Sequence, residues 1–485
     1  MASTTKISAI LILEIFLLSN LQFVWVSAAD SDSHILSSSG SVRLVYRYTV
    51  ALDGSGDFSD IVSAVDAVPP GERGVIEIAE GLYDLNPDYR YPYKVIPARS
   101  EITIRGNGID RTIIRSFPEK QFAGAHVRTP TVYSTDDIQG FALENLTLIQ
   151  NGSPDNLGWN AIDLRGENSD IVIKNVKITD VTGAAISITR FTNVLVEGCY
   201  MEMAFTGVTL SGGSNGIIKG NTIKNTLGDG VFPQTFSSTI LSVSNVLIID
   251  NHLENIGDTG IDITSNYLGP PHSNITAVGN TLINAHIRVS NAHHIKILDN
   301  ELLNGKSWID IDGGAGRAID ILIENNRITS SRKEAIGLFG AEDCRIINNV
   351  ITSLPPSPNT IQCGISAAVW SSLVIEGNII SNPASYGIDF GGWSIGNNQI
   401  VIRNNTVTDF GNIGIYDNGK SQGLALIENN IIYDSNNPFE STYGIRTDFE
   451  ANSWIIRYNR IYAGSVEHIS APNSEVYENI FEPFE

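Results

Sequence analysis

From Asn145 onward one unit recurs along this chain: an alternating apolar strand, one or two Asn, another Ile or Val, a turn, then Gly or Ala followed by Ile or Val. Ile295-Lys296-Ile297-Leu298-Asp299-Asn300 and Ile321-Leu322-Ile323-Glu324-Asn325-Asn326 are examples of its first half. Its second half falls at Ile162, Ile186, Val208, Val231, Ile261, Ile287, Ile309, Ile336, Ile365, Ile388, Ile415 and Ile445, with successive members 22 to 30 residues apart. A period of that length belongs to a solenoid, in which each coil buries its apolar face only by stacking on its neighbours. Strand alternation sends Ile and Val inward. Asn tolerates the left-handed backbone of a sharp corner, and its amide can bond the Asn of the next coil in an internal ladder. Asn145, Asn151, Asn274 and Asn404 also lie in glycosylation sequons, but Asn145 and Asn404 are expected on that ladder and poorly accessible.

The rest of the chain is consistent with one long all-β object. Composition is even from about residue 46 and shows no linker, and 44 Gly accompany abundant Ile, Val and Asn without long helix-forming runs. The one predicted helix lies between Asp57 and Pro69, with Ser59 as N-cap and Pro69 as stop; laid across the open end of the first coil, it would cap it. Strands are expected at residues 44–52, 75–78, 102–106 and 112–115, and residues 116–137 read as an excursion from the column.

At the N-terminus, Lys6 precedes an apolar run over residues 7–26 and then Val26-Ser27-Ala28-Ala29, which suits signal-peptidase cleavage. The expected division is a signal peptide at 1–28, a Ser-rich leader at 29–45 and the solenoid at 46–485, in a secreted protein with no membrane span after cleavage; Glu14 and the length of the apolar run leave an uncleaved membrane anchor as the alternative. The net charge of −22 opposes nucleic acid and anionic membranes but leaves room for an acidic polysaccharide met by a local cation. Cys199, Cys344 and Cys363 are too few for a disulfide framework.

On this repeat, the chain resembles the right-handed parallel β-helix proteins of the pectin-lyase-like superfamily over residues 46–485. The segment from Val50-Ala51-Leu52-Asp53-Gly54 to Val68-Pro69 is similar to the start of pectin methylesterases, but no Gln-Asp pair exists for that active site. Gly444-Ile445-Arg446-Thr447 resembles part of the polygalacturonase Arg element, without its Lys and without Gly-Asp-Asp or Gly-His-Gly. Polysaccharide lyases and C5-epimerases are the remaining relatives the resemblance implies.

Such a column is packed solid, so chemistry must sit on an outer wall. The residue after each inward Ile or Val is, in order, Asp163, Ser187, Thr209, Phe232, Asp262, Arg288, Asp310, Gly337, Ser366, Asp389, Tyr416 and Arg446. Charges fall on consecutive coils only at Asp262, Arg288 and Asp310, with coils about 4.8 Å apart. Asp258, Lys306, Asp312, His286 and Asp229 lie nearby. By the resemblance, Arg288 or Lys306 would take a proton beside a uronate carboxylate, while Asp258, Asp262, Asp310 and Asp312 hold Ca²⁺. Flanking carboxylates make Arg288 a poor base, which favours Lys306 or turns Arg288 into a clamp. Asp262 and Asp310 are alternatively a hydrolase pair about 9.6 Å apart. A non-catalytic carbohydrate-binding or structural helix, whose Asp-Arg-Asp row satisfies its own charges, is the rival from another class. Pro270-Pro271 and the loops at 313–316 and 354–362 are expected to rim a catalytic groove.

Overall fold

The computed structural model describes residues 44–85, 95–116, 130–150, 159–234, 241–266, 269–304, 308–313, 317–330, 334–353, 363–392, 398–417, 423–434, 443–447, 454–462, 468–472 and 474–481. The expected signal peptide and nearly all of the leader lie outside these, as do Lys306 and residues 314–316 and 354–362. The first strand is Val45–Val50. The described residues from there on form a parallel β-solenoid of about 12 turns.

Each regular coil contributes three strands. In one coil these are Val243–Ile249 on the first sheet, His252–Glu254 on the second and Ile261–Thr264 on the third. Every one pairs in parallel with its counterpart one coil on, at Ser244↔Ser273, His252↔Thr281 and Ile261↔Ile287. The third-sheet register joins the twelve positions from Ile162 to Ile445 in the order the repeat implies. It also extends to Val132 before and Ile469 after. Val132–Ser134 is thus a coil strand, so the stretch expected as an excursion at 116–137 includes regular coil at its C-terminal end; residues 117–129 lie outside the described ones.

Two Asn positions do different work at the corner between the first and second sheets. The first of each pair adopts the left-handed conformation, as at Asp250 (φ 54°), Asn325 (φ 58°) and Asn404 (φ 58°). The second is buried and donates Nδ2 to Oδ1 of the next coil's Asn, at 2.9 Å for Asn280 to Asn300 and 3.0 Å for Asn300 to Asn326. That ladder runs from Asn221 to Asn479. Asn404 is therefore not a ladder residue: it is exposed, and Asn405 takes the internal place. Alternation in the strand before the corner decides which of the two turns inward.

One short helix is seen among the described residues, Ile61–Asp66, packed against the strands Val45–Val50, Arg73–Ile78 and Ile96–Pro97. Its N-cap is Asp60 rather than Ser59, with the Asp60 carboxylate accepting from the Ser63 amide at 3.0 Å. Arg99 donates to the carbonyls of Val65 (2.8 Å) and Val68 (2.9 Å) at the other end. No helix among the described residues is long and apolar enough to cross a membrane; residues 7–26 are not among them.

Candidate active site on the third sheet

Four consecutive third-sheet strands build the site: Val231–Gln234, Ile261–Thr264, Ile287–Ser290 and Ile309–Asp312. Their register puts Asp262 beside Arg288 and Arg288 beside Asp310, and aligns Thr264, Ser290 and Asp312 two residues on. Arg288 also reaches diagonally across the sheet: its Nη2 lies 4.0 Å from Asp312 Oδ2. The Arg288 side chain is 41% exposed, and its Nε is buried without a hydrogen bond.

One register slot separates the last two of these coils from all others between Ile162 and Ile445. The residue before the inward Ile or Val is Ala161, Ala185, Gly207, Gly230, Gly260, Ala335, Gly364, Gly387, Gly414 or Gly444 elsewhere. The slot is tight: a Cβ on Gly230 would meet the Gly260 carbonyl oxygen at 2.5 Å, and one on Gly387 the Gly414 carbonyl oxygen at 2.5 Å. On two consecutive coils it holds His286 and Trp308 instead, whose rings stack 3.8 Å apart at 8°. His286 Nε2 is 3.3 Å from the Thr259 hydroxyl.

These rings line a groove of about 790 Å³, together with Asp258, Arg288, Asp310, Asn284 and the turn Asn255-Ile256-Gly257. Its rim is the turn that enters the third sheet. Pro270, Pro271 and Gly313, on the exit side, are not among its described lining residues; 314–316 and 354–362 lie outside the described ones. The segment with Pro270 folds back on itself, with Ser265 donating its hydroxyl to the Pro270 carbonyl at 2.7 Å.

Two carboxyls beside the groove hold their protons unusually well. Asp229 is pushed up to about 7, chiefly by burial and then by the charge of Asp262, against the opposing Thr259 amide. Asp262 is pushed up to about 6 by burial, opposed by the Thr264 hydroxyl it accepts from and by the Arg288 charge. Asp258 adds repulsion at both. Near neutral pH this wall carries protonated and ionised carboxyls side by side, the separation that acid–base chemistry needs. Among the described residues no three His, Cys, Asp or Glu side chains are grouped to hold a metal ion.

The fold and this wall define a β-solenoid with a polar, aromatic-floored groove on one sheet. The chain belongs to the right-handed β-helix family, whose model matches residues 138–302 and 285–416. It is also similar to a pectinesterase/pectinesterase inhibitor of Ficus pumila var. awkeotsang, 27% identical over 156 residues, which cover 32% of this chain and 26% of that protein. The matched stretch thus spans about a quarter of that relative. Among solved structures it is similar to the catalytic unit of an α-1,3-glucanase from Streptomyces thermodiastaticus, 14% identical, covering 84% of this chain and 64% of that one, with a TM-score of 0.38. It is similar too to the A-module of a mannuronan C-5 epimerase from Azotobacter vinelandii, 15% identical, covering 88% and 95%, with a TM-score of 0.38.

Proposed function

We propose that the groove binds a uronic-acid polysaccharide and performs β-elimination or C5 epimerisation on it. The observation that carries this reading is a half-exposed guanidinium, its Nε unsatisfied, beside an imidazole on an aromatic floor and two proton-holding carboxyls. Arg288 pairs with the uronate carboxylate and withdraws charge from it, which acidifies the neighbouring C5–H. In this reading Arg288 is the clamp and not the base. His286 takes the C5 proton. In elimination the C5–H electron pair becomes the C4=C5 bond, the C4–O4 bond breaks, and a protonated Asp262 or Asp229 delivers its proton to the leaving oxygen. In epimerisation His286 keeps the proton it has taken and a protonated Asp262 or Asp229 delivers another to C5 on the opposite face. Trp308 offers its ring face to the sugar. The pectinesterase relative makes pectate the first polymer to try. A signal peptide at residues 1–28, expected from the sequence, would carry the protein outside the cell, which N-terminal sequencing of secreted material checks.

The test incubates the purified protein with pectate, alginate and related uronans, with Ca²⁺ or with a chelator. An unsaturated product absorbing in the near ultraviolet, or a changed epimer ratio by NMR, is the expected result. Arg288→Gln and His286→Ala should each lower kcat/KM roughly a hundredfold or more without unfolding the chain. New reducing ends without ultraviolet absorbance would move the assignment to hydrolysis. The raised carboxyl of Asp262, two coils from Asp310, favours that second reading. Binding with none of these products would leave a carbohydrate-binding protein.

A further inference from the structure

Three of the four sequons fall on described residues, Asn145-Leu146-Thr147, Asn274-Ile275-Thr276 and Asn404-Asn405-Thr406; the one at Asn151 lies outside them. In each of the three the Asn adopts the left-handed conformation, at φ 56°, 53° and 58°. The residue after it, Leu146, Ile275 or Asn405, is the one that turns into the column. Surroundings separate the three. Asn274 and Asn404 are exposed, with Thr276 and Thr406 partly so. Asn145 is half-buried, and Thr147 is 4% exposed with its hydroxyl donated to the Ile109 carbonyl.

The neighbouring coils leave room beside both exposed Asn residues. Asn274 lies between Asn245 and His294 in its row, and His294 is turned to the coil beyond, its Nδ1 2.8 Å from Asp320 Oδ2. Next to Asn404, the preceding coil presents Gly377, which has no side chain. A side-chain amide carries two hydrogens, and each of these Asn residues uses one in the fold. Asn274 donates to Asn245 Oδ1 at 3.2 Å, and Asn404 donates to Glu376 Oε1 at 3.4 Å. A sugar linked to Nδ2 replaces one hydrogen and leaves the other, so neither contact has to be given up. Asn274 lies in the first-sheet strand His272–Val278, Asn404 directly follows the first-sheet strand Asn398–Arg403, and neither lines the groove on the third sheet.

We infer that Asn274 and Asn404 carry N-linked glycans at the borders of the first sheet, away from the groove. The inference is independent of what the groove binds and rests on passage of the chain through the secretory route. There an oligosaccharide is transferred to Asn Nδ2 from a polyprenyl diphosphate carrier. The Nδ2–C1 bond forms and the C1–O bond to the diphosphate breaks. The polyprenyl diphosphate leaves with the bonding electrons, and the amide gives up one proton.

The test expresses the full chain in a eukaryotic secretory host. N-glycans are removed enzymatically in heavy-oxygen water, which converts each occupied Asn to a labelled Asp, and the peptides are mapped by mass spectrometry. Label at both Asn274 and Asn404 is the expected result. Thr276→Ala and Thr406→Ala each destroy one sequon while keeping its Asn in the left-handed place, where Gln would be strained. Each should lose one step of the gel shift seen on deglycosylation, and the double variant should lose both. Thr276→Ser and Thr406→Ser keep the hydroxyl and should keep the shift. Secreted protein cleaved of residues 1–28 but bare at Asn274 or Asn404 would overturn that site. Fuller label at Asn145 than at either would overturn exposure as the ground for choosing them. A chain held in the cytosol with residues 1–28 intact would overturn the glycans and the secretory route together. None of these readouts uses activity on a uronan, so failure of the groove's proposed chemistry shows separately in the product assay.

Discussion

At the scale of single residues, Asp229 and Asp262 store a cost that the fold tolerates. Each binds its proton in the folded chain at a pH where the unfolded chain, with a carboxyl near 3.8, has released it. Unfolding in that window releases protons, so this contribution to stability falls as pH rises from about 4 to about 7 and is flat above. Asp262→Asn keeps an acceptor for the Thr264 hydroxyl while removing the buried charge. It should raise the unfolding temperature at about pH 8, by the equivalent of about 3 kcal/mol, and change it little at about pH 4. A lower unfolding temperature at the higher pH would mean that the carboxylate is compensated in the fold, and the account given for its shift would fail. Gain of stability with loss of activity is what a functional carboxyl held in an unfavourable place produces.

That pair also marks where reading the chain alone runs out. The Asp262-Arg288-Asp310 row was legible because period-two alternation and the repeat together dictate register. Burial of Asp262, and its coupling to Asp229 on the coil before, depends on how closely neighbouring coils pack, which no spacing records. The diagonal reach of Arg288 toward Asp312 is a rotamer choice of the same kind. His286 and Trp308 were within reach: the repeat calls for Gly or Ala before each inward residue, and the two exceptions are adjacent coils. The departure from the motif carried more information about function than the charges beside it.

At the scale of elements, the Asn corner divides labour in a way that can be measured. Asn326 donates to Asn349 Oδ1 (3.0 Å), Ile297 O (2.8 Å) and Glu324 O (3.1 Å), and accepts from the Asn300 amide (2.9 Å). Asn326→Ala leaves several of these groups buried and unsatisfied, and should cost about 3 kcal/mol or more in urea unfolding. Its neighbour Asn325 is exposed at φ 58°, where Gly is at ease, so Asn325→Gly should stay within about 0.5 kcal/mol. Equal losses at both would mean that the ladder is incidental. The helix Ile61–Asp66 offers a second handle. If it covers the first coil, Arg99→Ala, which removes the two bonds to its C-terminal carbonyls, should speed amide exchange over residues 61–68 and in strand Arg73–Ile78 together. Faster exchange confined to the helix would deny it a covering role.

At the scale of the whole molecule, charge and site pull in opposite directions. The chain carries a net −22, yet the proposed ligand is an anion. The first sheet's charges close on each other as surface pairs worth little individually, so the excess negative field is felt at a distance while Arg288 acts only at contact. From about 10 mM to about 150 mM salt the screening length falls from roughly 30 Å to roughly 8 Å. The long-range repulsion between protein and uronan fades over that interval faster than a contact made within a few ångströms. The KM for a polyuronate should therefore fall as salt is added across this range, the reverse of what a basic groove gives, while binding of a neutral glucan should stay level. A KM that climbs steeply with salt would show that cations dominate the field at the groove. Arg288 would then be one of several contacts and not the single clamp through which the acidic sugar is held.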